Sequence, residues 1–74
     1  MQFTITVSHD EKEGVWFVQE SDVPGLNAEA PTLDQLVEVI TDLAPDLVAA
    51  NLPGTDSVTF CVQHVVEARA AHAA

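Results

Sequence analysis

Positive charge is scarce in this chain: two bases, Lys12 and Arg69, stand against 12 acids, for a formal charge of −10 over 74 residues. Nucleic acid and anionic lipid are bound through Lys and Arg that neutralise phosphate, so this balance argues against both as partners. It attracts basic surfaces instead and speeds encounter with them. Cysteine is nearly missing as well. Cys61 stands alone, which excludes an internal disulfide and a Cys-pair zinc site and fits a reducing compartment. No segment reaches the roughly 20 apolar residues that span a bilayer. Met1 to Val7 alternates polar and apolar residues and lacks the basic start and apolar run of a secretory leader. The hydrophobic fraction of 47% is that of a folded chain and not of a disordered acidic tail. A cytoplasmic folded domain is expected.

Length limits the chain to one domain. A domain of this size buries only about 60% of the surface that its unfolded chain exposes. With no disulfide to compensate, self-association is the expected source of added stability, and a homo-oligomer is predicted.

Residues 2–8 read as a strand, with Phe3, Ile5 and Val7 on one face and Thr4 and Thr6 on the other. His9 to Gly14 forms a polar turn. Residues 15–20 form a second strand that is apolar on both sides, Val15 and Phe17 against Trp16 and Val18, as in a strand covered on each face. Pro24 and Gly25 mark a tight turn, and Leu26 to Ala30 is a candidate short edge strand. Thr32 opens the one strong helix through a Thr-x-x-Gln capping box with Gln35. Leu33, Leu36, Val37, Ile40, Leu43, Ala44, Leu47 and Val48 carry the spacing of its buried face. Pro45 predicts a kink, or a second short helix to about Ala50. After a loop at Pro53 and Gly54, residues 57–66 read as a last strand with Val58, Phe60 and Val62 inward.

The order is β-β-(β)-α-β, an α+β fold with a mixed sheet of three to four strands and one helical layer. The helical crossover makes the last strand a parallel neighbour of the first. Residues 1–66 are assigned to the domain and 67–74 to a carboxy-terminal tail. One helical layer leaves a sheet face open. Trp16, Val18 and Cys61 are placed on that face as an oligomer interface, since an uncovered apolar patch marks a contact surface.

Several stretches resemble the HicB-like antitoxin family, in particular its short single-domain branch: Gly14-Val15-Trp16, Asp22-Val23-Pro24-Gly25-Leu26, and Glu29-Ala30 leading into Thr32 and Leu36. The resemblance runs from Phe3 to about Asn51. It implies a partial RNase H-like fold without nuclease activity. It also implies that the domain neutralises a small basic HicA-type ribonuclease toxin by masking its RNA-binding surface. Larger members add a carboxy-terminal DNA-binding module. Nothing after Val66 is long or basic enough for one, so no direct nucleic-acid binding is expected.

The acids of the helix supply the candidate docking surface. Asp34, Glu38, Asp42 and Asp46 recur every four residues in one stripe opposite the apolar face. Each like-charged pair at that spacing costs an isolated helix about 0.2–0.5 kcal/mol, and no lysine offsets them. A stripe kept for solubility is the plainer reading; a contact surface for Lys and Arg is preferred. His9, Asp10, Glu11 and Glu13 crowd the first turn but lack the ligand cadence and central glycine of a calcium loop. Asp10, Glu20 and Asp46 are the carboxylates a two-metal nuclease would need to bring together, without a basic groove beside them. His64 and His72 have no nucleophile in a recognisable setting. No catalytic role, metal or cofactor is expected. The competing reading is a stand-alone oligomeric scaffold or ligand-binding domain of the same fold with no toxin partner.

Overall fold

The first strand decides which side of the sheet becomes the core. In the computed structural model, which describes residues 1–55 and 57–66, β1 spans Gln2–Asp10. Its odd residues Phe3, Ile5 and Val7 are 4%, 0% and 1% exposed. Burying a side chain as completely as Ile5 contributes about 1.5–3 kcal/mol. The chain reverses over residues 11–14. Asp10 nucleates this turn: its Oδ1 accepts from the N–H groups of Lys12 at 3.0 Å and Glu13 at 3.2 Å. Gly14 closes it at φ 68, a backbone region open to glycine, and donates its N–H to the Asp10 carbonyl at 2.8 Å.

That turn sets the register of β2 (Val15–Ser21), which pairs antiparallel with β1. Asp10 faces Val15, His9 faces Trp16, Ser8 faces Phe17 and Val7 faces Val18. Cross-strand partners share a face, so Trp16 and Val18 lie with Val7 on the helix side and pack against the core. The placement of Trp16 and Val18 on the uncovered face is thereby corrected: Val15 and Phe17 occupy that face. A bulge between Thr6 and Val7 then adds one residue, Gln19, to β2. It brings Glu20 opposite Thr6 on the open face and Ser21 opposite Ile5. An unbroken register would set Glu20 against buried Ile5.

Residues 22–26 form the tight turn expected. Leu26 donates to the Val23 carbonyl at 3.3 Å, Pro24 follows Val23, and Gly25 takes φ 76. Proline second and a positive-φ glycine third are the signature of a type II turn. It tucks Val23 and Leu26 into the core at 2% and 9% exposure. The short edge strand β3 is confined to Glu29–Ala30, antiparallel to β2.

Helix α1 runs from Leu33 to Asn51. Thr32 caps it, its Oγ1 accepting from the Gln35 N–H at 3.1 Å. The capping box is not reciprocal, because the Gln35 side chain accepts from the Thr32 hydroxyl at 3.2 Å. The second short helix offered as one outcome at Pro45 does not form: α1 continues through the proline as one helix. Proline costs a helix interior about 3 kcal/mol, yet Ala44 at 0% and Val48 at 3% exposure anchor the backbone on either side. Pro45 and Thr41 are both exposed, so the Thr41 carbonyl that loses its partner lies within reach of water. The buried row is Leu36, Ile40, Ala44 and Val48. Val37 and Leu43, expected in that face, stay 37% and 41% exposed because a single sheet covers only a narrow stripe of the helix.

Strand β4 spans Thr59–His64, shorter than 57–66, and pairs in parallel with β1. Phe60 stacks on Phe3 with ring centroids 5.9 Å apart, and Val62 pairs with Ile5. The sheet order is β3-β2-β1-β4. The fold is therefore α+β: a mixed four-stranded sheet with one helical layer. The tail assigned to 67–74 lies outside the described residues. No helix among those described is long and apolar enough to cross a membrane.

Candidate functional site

Two surfaces follow from this architecture, one on each side of the molecule. The outer face of α1 carries the acid stripe. Leu36 to Val48 hold the opposite side of the helix against the sheet, so Asp34, Glu38, Asp42 and Asp46 all point away from the core, and all four are exposed. Successive members are separated by about 6 Å of helix rise. Asp34 lies in the first turn, where the helix dipole favours an anion; the last turn holds no base. Apolar surface borders the stripe. Val37, Glu38, Thr41 and Asp42 line a shallow depression on one flank, and exposed Leu43 lies on the other. The Thr41 hydroxyl is already engaged, donating to the Val37 carbonyl at 2.8 Å. Carboxylates alternating with apolar ground can meet a basic partner through both charge and contact area.

The open sheet face is the second surface. β1 presents Thr4, Thr6, Ser8 and Asp10 there, β2 presents Val15, Phe17 and Glu20, and β4 presents Thr59, Cys61 and Gln63. Gln63 donates to Thr6 Oγ1 at 3.0 Å across the sheet. Of the three residues assigned to an oligomer interface, Cys61 alone is on this face, half-buried and as a free thiol. Val15 and Phe17 are its apolar centre.

The carboxylates of a two-metal site do not converge. Asp10 and Glu20 share the open face, but Glu20 pairs with Thr6, four residues before Asp10 on β1 and about 13 Å away. Asp46 is on α1, beyond the other face. No group of three or more His, Cys, Asp or Glu among the described residues is arranged to hold a metal ion.

One constellation escaped the sequence reading. His9 and His64 flank Trp16 on the helix side, with ring centroids 4.9 Å and 4.8 Å from it. The first two are cross-strand partners, and His64 arrives through β4 opposite Val7. The hairpin register and the parallel crossover together make this cluster, so spacing along the chain could not reveal it without both.

The family described as a domain of unknown function (DUF1902) matches residues 2–72. The chain belongs to the DUF1902 family. Among solved structures it is similar to the crystal structure of hypothetical protein TTHA1013 from the extremely thermophilic bacterium Thermus thermophilus. The two are 26% identical with a TM-score of 0.82, over 93% of this chain and 99% of that one. Their near-complete mutual coverage makes the β-β-β-α-β unit the common body of both proteins. No curated protein matches the chain. Within this DUF1902 domain, the matched span holds both surfaces described above.

Proposed function

We propose that this DUF1902 domain is a non-enzymatic, HicB-like antitoxin-type module of the cytoplasm. On this reading it binds a small basic HicA-type ribonuclease and masks its RNA-binding surface. The observation that carries the reading is the α1 stripe: four exposed carboxylates on one helix face, bordered by exposed Val37 and Leu43. The stripe stands despite its repulsive spacing, and only Asp34 has the support of the helix dipole, at the amino end. A ribonuclease that grips RNA through Lys and Arg would meet in it a surface with the charge of its substrate. The partial RNase H-like descent belongs to the same proposal. The separation of Asp10, Glu20 and Asp46 supports binding over catalysis.

The test pairs the purified domain with a HicA-type ribonuclease encoded beside it. Native protein is expected to suppress RNA cleavage and to bind in calorimetry with salt-sensitive affinity. Glu38→Lys with Asp42→Lys is expected to weaken binding at least tenfold while circular dichroism stays native. Unchanged affinity removes the stripe as the contact surface. Magnesium-dependent RNA cleavage by the domain itself, lost in Asp10→Asn, overturns the non-enzymatic reading.

A further inference from the structure

Among the described residues, the outer edge of β4 is an open template. β4 ends the sheet order, and among the described residues no strand pairs with its far side. The Thr59 N–H donates to the Met1 carbonyl at 2.9 Å, so Thr59, Cys61 and Gln63 direct their backbone groups toward β1. Phe60, Val62 and His64 therefore turn their N–H and C=O groups outward, by the alternation of a strand. Natural edge strands are protected by charge, proline, a bulge or extreme shortness. β4 spans six residues with none of these devices. In a chain with 12 acids, residues 57–66 contain neither an acid nor a Lys or Arg.

We propose that β4 pairs antiparallel with β4 of a second copy of this chain, about a two-fold axis at Val62, to give a continuous eight-stranded sheet with both helices on one face. Charge selects the occupant. Two chains of −10 repel wherever their acids approach, and the neutral β4 strip is where they can meet with those acids held away. The strip is also self-complementary. Centring on Val62 pairs Phe60 with the copy's His64, so every outward backbone group of β4 finds a partner. It also sets Val66, 70% exposed, opposite half-buried Val58 of the copy, and Val65, 69% exposed, opposite Thr59. An isologous contact of this kind closes at two chains, leaving no edge for further growth at that site. The proposal is independent of the acid stripe, which lies on α1 and not at this edge.

The test uses the full 74-residue chain. Sedimentation equilibrium is expected to give twice the 7.9 kDa of one chain, and hydrogen exchange to show protected amides at Phe60, Val62 and His64. In the dimer Cys61 faces the copy's Gln63 on the open side, where both can change without entering the core. Cys61→Glu with Gln63→Glu opposes like charges twice and is expected to raise the dissociation constant about tenfold or more. Cys61→Lys with Gln63→Glu opposes unlike charges and is expected to restore it to within about threefold. A native monomer with exchanging edge amides overturns the proposal. So does a monomer with protected ones, which would assign the edge to residues 67–74. A dimer indifferent to the double glutamate places the contact elsewhere and overturns it too.

Discussion

Thr4 and Asp22 exchange two hydrogen bonds, the Thr4 N–H donating to the Asp22 carboxylate at 3.0 Å and the Asp22 N–H donating to the Thr4 carbonyl at 3.1 Å. They stand 18 positions apart and tie the exit of β2 to the middle of β1 just beyond the bulge. The side-chain bond takes the place of the ladder bond that Thr4 N–H would make had β2 continued past Ser21. Asp22→Ala should therefore cost about 1–2 kcal/mol, because it leaves the Thr4 N–H without its charged acceptor. Asp22→Asn should cost less, since the amide oxygen can still accept. Urea unfolding of the three proteins checks the order, and equal stability of native and alanine forms would dismiss the tie.

The corrected faces of β2 predict a contrast between neighbours. Trp16 packs on the core between two histidines, whereas Phe17 lies on the open face. Trp16→Ala should destabilise by about 2–3 kcal/mol, somewhat less than a fully buried aromatic would. Phe17→Thr should cost under about 1 kcal/mol, because a β-branched residue suits a solvent-facing strand position. Thermal unfolding distinguishes the two, and the reverse ranking would return Trp16 to the uncovered face.

The reason these faces were misassigned lies in β2 itself. Val15, Trp16, Phe17 and Val18 are all apolar, so alternation offers no choice between the two sides. The deciding quantity is the length of the turn, since four residues between Asp10 and Val15 pair odd positions of β1 with even positions of β2. Phe3, Ile5 and Val7 then draw Trp16 and Val18 inward. β1, the Thr32 cap and the inward set of β4 were legible because each depends on local pattern. The bulge at Gln19 and the cluster of His9, Trp16 and His64 were not, because they exist only once strands have paired. The acid stripe was legible as a stripe, since helical periodicity alone places it. Val37 and Leu43 beside it were not, since their exposure depends on how narrowly one sheet covers the helix.

Pro45 does not divide α1, and the reason is tertiary. Its propensity penalty is real, but Ala44 and Val48 bury on either side and hold the helix together. Pro45→Ala would restore the hydrogen bond to the Thr41 carbonyl and remove the ring's clash with that turn. The substitution should stabilise the domain by about 1–3 kcal/mol, measured as a rise in the urea midpoint at constant slope. A loss of stability would mean that the helix is bent there to fit the sheet.

The acid stripe invites a test of stability as well as binding. Asp42 stands four residues from Glu38 and from Asp46, at the midpoint of α1, where the helix dipole gives an anion no support. Asp42→Lys turns two repulsive pairs into attractive ones, each change bringing about 0.4–1 kcal/mol when the lost repulsion and gained attraction are combined. The variant should unfold at a higher urea concentration in low salt, with the advantage shrinking as ionic strength rises. If the stripe is a docking surface, the same variant should bind a basic partner less tightly. Greater stability with weaker binding would mean that the carboxylate is held for contact at a cost to the fold. Greater stability with unchanged binding would instead leave solubility as the use of the stripe, and the partner's contacts would have to be sought on the open sheet face around Val15 and Phe17.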